Sequence, residues 1–215
     1  NWLEGNLRVK DKVTITHMFH AEVLNALGYT GDQPEYEHLY HLSETDVIPV
    51  RHILYRGDQA HLMVMEMQGL IREGDEEPDG LFEQRYNVED EENQTPPQKY
   101  HRSQWGNVFQ VPDGQHISPM IINKAISELF LTDQHRRPKY ILLLAGNIIF
   151  LLEQERWFRG SYLQIDIEEL FNEATIKRDY YSAFYFLLGK ENLAPDSDIV
   201  LMEQLDEDSH KSAHE

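Results

Sequence analysis

The chain has 215 residues, of which 40% are hydrophobic and 27% are charged. These proportions are ordinary for a globular protein, and this length allows one large domain with a sizeable buried core. Cysteine is absent, which excludes disulfide bonds, thiolate zinc sites and cysteine nucleophiles. A chain without cysteine fits a reducing compartment, and we expect a cytoplasmic protein.

The sequence predicts neither a membrane segment nor a signal peptide. The longest apolar run, residues 140–152, is interrupted by Gly146-Asn147 and is shorter than the roughly 20 residues that a membrane helix needs. Residues 1–5 contain no basic stretch followed by an apolar stretch, which a signal peptide requires.

The net charge of −19 is concentrated in two segments. Residues 73–94 carry a net charge of −9 and residues 191–215 carry −7, so the rest of the chain carries only −3. The body of the domain is therefore close to neutral, and the overall charge does not by itself exclude nucleic acid as a partner.

The first predicted elements are a helix and two strands. Residues 16–28 have the pattern of an amphipathic helix that is capped by Thr16 and closed by Gly28. Residues 47–55 and 60–67 read as two strands joined by a turn at Gly57. The second strand is almost continuously apolar, which predicts burial on both faces, and Glu66 is its one acidic interruption. The apolar face of the helix is expected to contain Phe19, Val23, Leu24 and Leu27.

An acidic insertion is predicted at about residues 70–104. Its acids, glycines and prolines cannot bury enough apolar area to offset the entropy lost on ordering. We therefore expect residues 73–98 to be the most mobile internal segment of a single domain that spans residues 1–190.

The second half of the chain continues the mixed pattern. Ser118-Pro119 is expected to begin a helix, and residues 140–152 form a hairpin around a Gly146-Asn147 turn. A strand at residues 162–165 is followed by a helix that Asp166 caps, and a last helix spans residues 177–188. The predicted fold class is α/β (α+β), with a mixed sheet, flanking helices and a PD-(D/E)XK nuclease-like core.

A nuclease-like site is the first candidate for chemistry. In the PD-(D/E)XK pattern, acids on neighbouring strands hold a divalent metal and a lysine two residues after one acid assists the attacking water. This chain departs from that pattern, because Val50 follows Pro49 where an acid is expected and Gln68 stands where the lysine is expected. The positions that could be remnants of a nuclease site are Glu22, Glu66 and Gln68. Because of these departures we expect no catalytic residue and no bound metal.

Three other clusters have alternative interpretations. The histidines of His17-x-x-His20 and His38-x-x-His41 could share a metal with Glu22 or Glu37, but hydrogen-bonded surface histidines are the simpler interpretation. Five aromatic residues within 180–186 could stack on bases, although helical spacing favours a core role. The basic residues could form a phosphate-binding strip, although ordinary surface charge also accounts for them. The strip would comprise Arg136, Arg137, Lys139, Arg156, Arg159, Lys177 and Arg178.

The segment KYILLLAGNIIFLLEQERW at 139–157, RGSYLQID at 159–166 and LDEDSHK at 205–211 resemble a family of large bacterial proteins. These are the adenine-specific DNA methyltransferases, of type IIG-like organisation, that act in restriction–modification and phage defence. The resemblance covers about residues 138–212. It implies that the chain is the N-terminal region of such an enzyme, a nuclease domain or its degenerate relative.

Several expectations follow from this resemblance. Residues 191–215 would form an acidic linker to a methyltransferase domain in cis, which would bind S-adenosylmethionine and act on DNA. This chain has no Gly-rich cofactor loop and no Asn-Pro-Pro-aromatic motif, so we expect it to bind no cofactor.

Two rival functions remain open. The chain could be an active magnesium-dependent endonuclease domain that uses Glu22, Asp46 or Asp58 beside Glu66, or it could be a non-enzymatic interaction module. An acid within about 5 Å of Glu66, facing a basic cleft, would favour the nuclease. Dispersed positive charge without a cleft would favour the interaction module.

Overall fold

The predicted α+β class is confirmed, with helices flanking two mixed sheets. A computed structural model of the chain describes residues 9–29, 38–67, 69, 78–85, 113–172, 179–195, 200–205 and 208. Gln68, Lys177, Arg178, Glu37 and most of the acidic segment 73–98 lie outside the described residues. None of the helices within the described part has the length and apolar content required to cross a membrane.

A five-stranded sheet forms the centre of the domain. Its strand order is β3-β4-β6-β7-β8, in which β4 and β6 are parallel and the other neighbours are antiparallel. The five strands are β3 (His52–Arg56), β4 (Gln59–Met67), β6 (Tyr140–Ala145), β7 (Ile148–Glu153) and β8 (Leu163–Asp166).

A three-stranded sheet packs against one face of the central sheet. Its order is β1-β2-β5, with β1 (His38–His41), β2 (Asp46–Val50) and β5 (His116–Ile117). The same core contains the 3-10 helix Pro78–Glu83, through Leu81 and Phe82, and helix α2 (Ile122–Leu131). Because parallel strands need a crossover connection, the chain between β4 and β6 has to cross this face of the sheet.

The opposite face of the central sheet is covered by four of the other helices. Helix α1 (Val9–Ala26) contributes Leu24 to this second core. Helices α4 (Ile167–Asn172), α5 (Asp179–Leu188) and α6 (Lys190–Leu193) cover the same face, whereas Trp157 of the short helix α3 (Gln154–Trp157) packs against the first core. Side chains of a strand alternate between faces, so Met63, Met65 and Met67 of β4 enter the first core while Leu62 and Val64 enter the second.

Both predicted hairpins are confirmed. Gly57 and Gly146 adopt φ values of 63° and 64° in their turns, a conformation that glycine adopts without steric cost. Strand β4 is buried along nearly its whole length, as its apolar sequence predicted. The side chain of Asp166 accepts hydrogen bonds from the backbone N–H groups of Glu168 and Glu169, which confirms the predicted cap of α4.

Two predicted helix starts are wrong. Helix α1 begins at Val9, so Thr16 is a buried residue inside the helix and not its cap. Helix α2 begins at Ile122, and the Ser118 hydroxyl instead accepts the N–H of Met120 before the helix. Hydroxyl residues satisfy backbone groups in turns as well as at helix ends, so this signal alone does not fix a helix start.

The predicted strand at residues 47–55 is also wrong, because the chain changes sheets at Arg51. Strand β2 belongs to the three-stranded sheet and β3 to the five-stranded sheet. The backbone N–H of Arg51 donates to the carbonyl of Val64, and its side chain turns toward Glu66. The change of sheet thus coincides with the pairing of Arg51 with a distant acid, at a point where local propensity alone would continue the strand.

The packed region continues beyond residue 190. Leu193, Ala194 and Val200 are buried, and His61 contacts the carbonyl oxygen of Leu193 with its Nε2 at 3.0 Å. Glu203 accepts a hydrogen bond of 2.7 Å from Lys139. The described part of the 191–215 segment therefore lies against the domain as far as about residue 205.

Candidate functional site

Glu66 is a carboxylate in the interior of the protein. It lies one residue before the end of β4 and is 2% exposed. Because side chains alternate along a strand, it points to the face that α1 covers and away from the methionines of the first core. A buried carboxylate costs much free energy unless charged or hydrogen-bonding groups surround it, so its neighbours decide its role.

Three basic side chains surround this carboxylate. Arg51 donates a hydrogen bond of 2.9 Å from Nη1 to Glu66 Oε2. His20 Nδ1 lies 3.0 Å from Oε1, and His17 Nδ1 lies 3.2 Å from Oε2. We call these four residues the Glu66 cluster. Its members come from α1, from the break between β2 and β3, and from the end of β4, so it joins three parts of the fold.

The hydrogen bonds of His20 define its protonation state. Its Nε2 lies 2.9 Å from the carbonyl oxygen of Gly146, and its Nδ1 faces the Glu66 carboxylate. A carbonyl oxygen and a carboxylate are both acceptors, so His20 makes both bonds only when both ring nitrogens carry hydrogen. Through these two contacts His20 links α1 to the turn between β6 and β7.

The same contacts determine the charge of Glu66. Burial alone raises the pKa of Glu66, because it disfavours the ionised form. Hydrogen-bonding contacts with the rings of His17 and His20, together with the charges of His20 and Arg51, outweigh this effect and hold the pKa of Glu66 well below its usual range. Glu66 is therefore ionised at neutral pH, and its charge opposes that of the neighbouring Arg51 guanidinium.

Magnesium does not fit this cluster. Hard cations bind to several oxygen ligands, and here both oxygens of the single carboxylate already contact basic groups. The Arg51 guanidinium would also repel a divalent cation. Within the described residues, no group of three or more histidines and acids is arranged to hold a metal ion. We therefore derive no reaction step that uses a metal here.

The other acids considered from the sequence lie elsewhere. Glu22 is exposed on α1, and Asp46 contacts Ser43 at the start of β2. Asp58 is exposed in the turn before β4, where its Oδ2 lies 3.4 Å from Nδ1 of His135. The structure thus brings together Glu66 and the two histidines of α1, but neither Glu22, Asp46 nor Asp58.

The histidine interpretation is corrected in one respect. His17 and His20 were interpreted as surface residues, but His20 is fully buried and His17 is only partly exposed. Their spacing places them on adjacent turns of α1, as the sequence predicted, and that shared face binds the carboxylate. Arg51 was not singled out from the sequence. An arginine inside an otherwise apolar run is the signal that would have indicated it.

Two glycines permit close backbone contact beside the cluster. A Cβ atom placed on Gly69 would lie 2.7 Å from Cα of Gly146, and one on Gly146 would lie 2.8 Å from Cα of Gly69. The carboxyl ends of the parallel strands β4 and β6 are therefore in contact at the point where the Gly146 carbonyl contacts His20. No larger side chain fits at either position without a backbone shift.

The described members of the predicted basic strip lie at the opposite end of the central sheet. Arg136, Arg137 and Lys139 precede β6, and Arg156 and Arg159 follow β7 at the same edge. Glu66 pairs in register with Leu144, four residues beyond the start of β6 at Tyr140, or about 13 Å along the strand. The strip and the carboxylate therefore do not face one common cleft.

Several members of the strip have partners within the domain. Lys139 binds Glu203, and Arg156 donates to Glu153 at 2.6 Å. The Arg136 guanidinium lies over the ring of Tyr40 and donates to the carbonyl of His41. Arg137 is half-buried and Arg159 is exposed.

The predicted core role of the aromatic residues on α5 is wrong. Phe184 is half-buried, but the other four side chains are exposed, with Tyr180 at 53% and Phe186 at 54%. Phe171 on α4 is also exposed and contacts the ring of Tyr181. Helical spacing alone does not determine which side faces the core: Leu188 is buried in the second core, and Phe184 and Leu187 pack against it.

Comparisons with protein-family models, with curated proteins and with solved structures found no match to this chain.

Proposed function

We propose that the chain is the N-terminal accessory domain of a DNA-modification methyltransferase and that it does not cleave DNA itself. The observation that carries this proposal is the pairing of Glu66 with Arg51, His17 and His20. A PD-(D/E)XK nuclease requires at least two carboxylates on a metal and a lysine beside them. Here the strand-end carboxylate instead neutralises buried cations, which is a structural role.

The arrangement of elements supports a nuclease-like core. Helix α1 covers one face of the sheet, the hairpin of β3 and β4 carries Glu66 near its end, and β6 returns parallel to β4 after a crossover. In an α/β sheet, the carboxyl ends of parallel strands are where functional side chains collect. The Glu66 cluster is at that edge, beside the contact of Gly69 and Gly146.

The proposed partners follow from the sequence resemblance. The methyltransferase domain in cis would bind S-adenosylmethionine and reach DNA, and the whole enzyme would act in the cytoplasm in restriction–modification or phage defence. Lys139 and Arg156 would contribute little to phosphate binding, because both are already paired with acids.

Plasmid cleavage tests this proposal. We expect the purified chain to leave supercoiled plasmid DNA intact at neutral pH with magnesium or manganese. Robust metal-dependent cutting that is lost in Glu66→Gln but kept in Glu22→Gln would show that Glu66 is catalytic, and the proposal would be wrong. Cutting that depends on Glu22 would indicate an active site built on α1 and would equally contradict it.

The proposed parent protein is tested by the coding sequence that follows Glu215. We expect it to encode a Gly-rich loop for S-adenosylmethionine and an Asn-Pro-Pro-aromatic motif, and a continuation that encodes another kind of domain would contradict the proposal.

A second candidate is an interaction module, and the exposed aromatic side chains favour it. Tyr180, Tyr181, Tyr185 and Phe186 on α5, with Phe171 on α4, form a group of large exposed aromatic residues. Exposed apolar groups of this size often mark contact surfaces. In the proposed enzyme the contact would be with another domain of the same protein.

A further inference from the structure

A cleft opens between the edge strands of the two sheets, away from the Glu66 cluster. Strand β1 is at the edge of the three-stranded sheet and β3 is at the edge of the five-stranded sheet. The cleft has a volume of about 510 Å³, which falls in the range of small-molecule sites. It is lined by Leu39, Tyr40, His41, Ile53, Tyr55, Ala60 and Arg136.

The walls of the cleft are apolar and aromatic. Leu39 and Ile53 are half-buried and pack on the first core. Tyr55 is 61% exposed although it lies on a strand of the central sheet. An exposed tyrosine beside half-buried aliphatic side chains offers a surface on which a planar ring can stack.

Arg136 supplies a fixed positive charge at this cleft. Its guanidinium carbon lies 4.5 Å from the centroid of the Tyr40 ring, and the group donates to the His41 carbonyl. The backbone is held as well, because the Tyr40 hydroxyl donates to the Arg136 carbonyl and the N–H of Ala60 donates to the carbonyl of His135. Stacking and hydrogen bonding therefore orient the guanidinium before any ligand binds.

The charge of Arg136 is not neutralised within the described residues. Its guanidinium has no carboxylate partner there, whereas Arg51, Arg56, Lys139 and Arg156 each have one. A guanidinium has five N–H donors, and the His41 carbonyl engages one of its nitrogens. The remaining donors suit a planar or tetrahedral anion such as a phosphate.

We propose that this cleft binds a nucleotide, with the base against Tyr55 and the aliphatic floor and the phosphate on Arg136. The ligand is either a free nucleotide or one unpaired nucleotide of a DNA strand, since both present the same base and phosphate. The site does not depend on the proposed methyltransferase role, because it rests only on the residues of the cleft.

The geometry favours this ligand over an added peptide strand. A peptide would have to extend the ladder of β3, but the register of β3 shifts between Leu54 and Tyr55. Such an irregularity twists an edge strand and hinders the addition of another strand. The acidic side chains near the cleft already contact basic groups. Glu203 binds Arg56 and Lys139, and Asp58 lies 3.4 Å from His135.

Calorimetric titration of the full chain tests the site. The probes are adenosine 5′-monophosphate, adenosine without phosphate, and a short oligodeoxyadenylate. We expect the monophosphate to bind and adenosine to bind more weakly. We expect Arg136→Gln and Tyr55→Ala each to raise the Kd for the monophosphate by about tenfold, because each removes one of the two main contacts.

Two matched variants control for nonspecific effects. Lys124→Gln removes a positive charge from the exposed face of α2, and Leu131→Ala removes an apolar side chain that is 66% exposed. Both are expected to leave the Kd unchanged. If the oligonucleotide binds more tightly than the monophosphate, the ligand is a unit of a DNA strand, and the reverse order indicates a free nucleotide. The proposal would be overturned if neither the monophosphate nor the oligonucleotide binds. It would also be overturned if Lys124→Gln and Arg136→Gln weaken binding of the monophosphate equally.

Discussion

The Glu66 carboxylate is not hydrated by solvent, because it lies near the end of a buried strand. The loss is offset because Arg51 and His20 supply opposite charge and His17 supplies a further polar contact. Arg51 is itself only 6% exposed, so the cations depend on the carboxylate as much as the carboxylate depends on them. Removal of either the Glu66 carboxylate or its basic partners would leave an uncompensated charge in the interior.

Substitution of Glu66 by glutamine should therefore destabilise the fold strongly. We expect a loss of about 3–5 kcal/mol in the free energy of unfolding, because the amide keeps the volume but leaves Arg51 and His20 without a counter-charge. Glu22→Gln on the exposed side of α1 is the matched control and should change this free energy by about 0.5 kcal/mol or less. Urea unfolding measures both, and equal small effects would show that the cluster does not support the fold.

The depressed pKa of Glu66 also predicts how stability depends on pH. A protonated Glu66 lacks the charge that the cluster requires, and in the unfolded chain its pKa returns to about 4.5. The unfolded state then binds more protons at low pH, so the contribution of Glu66 is present above that value and is lost as the pH falls toward the folded pKa. The difference in stability between the native chain and Glu66→Gln should shrink between about pH 6 and about pH 3. A constant difference would show that Glu66 does not ionise as inferred.

The sequence indicated Glu66 as an unusual residue but not what surrounds it. A single acid in an apolar strand predicts that some partner exists. His20 and Arg51 are 46 and 15 residues away along the chain, and periodicity carries no information on which distant side chains meet. The nuclease pattern directed attention to Gln68 and to acids, whereas the actual partners are basic.

At the scale of elements, the parallel pair of β4 and β6 determines the site. Their carboxyl ends come so close that Gly69 and Gly146 are in backbone contact, and His20 fastens α1 to the same place. Gly146 has two separate reasons to be glycine, since its φ is 64° and its Cβ position is occupied. Gly57 in the other hairpin has a φ of 63° and open space around it.

These two glycines form a matched pair for mutation. Gly57→Ala should cost about 1–2 kcal/mol, because it meets only the backbone strain of the left-handed conformation. Gly146→Ala should cost clearly more, because its methyl group would also lie 2.8 Å from Cα of Gly69 and force the strand ends apart. Thermal unfolding of the two variants gives the comparison. Equal losses of stability in Gly57→Ala and Gly146→Ala would mean that the ends of β4 and β6 move apart without a cost in free energy.

Element identity was predictable where the signal is local. The hairpin turns, the buried strand β4 and the cap at Asp166 follow from glycine position, apolar content and side-chain length. The break at Arg51 and the exposure of the α5 aromatics were missed, because both depend on tertiary contacts that a single segment does not encode. Strand pairing into two sheets was missed for the same reason.

At the scale of the whole molecule, the buried Glu66 cluster and the basic residues near β6 lie at opposite ends of the central sheet. The Glu66 cluster closes the end where β4 and β6 finish, and the basic residues with the Arg136 cleft lie where β6 begins. Stability and ligand binding should therefore respond to separate substitutions, since sites more than about 10 Å apart with no shared partner act additively.

This division bears on the methyl donor as well. S-adenosylmethionine contains adenine but has no phosphate, and its sulfonium and ammonium groups outweigh its one carboxylate. Arg136 would repel that net positive charge, and the chain has no Gly-rich loop that could bind the cofactor elsewhere. We therefore expect calorimetry to show no saturable micromolar binding of S-adenosylmethionine under conditions where adenosine monophosphate binds. Micromolar binding of S-adenosylmethionine that persists in Arg136→Gln would mean that the domain contains its own cofactor site. In that case the chain could not be an accessory domain that relies on a partner for methyl transfer.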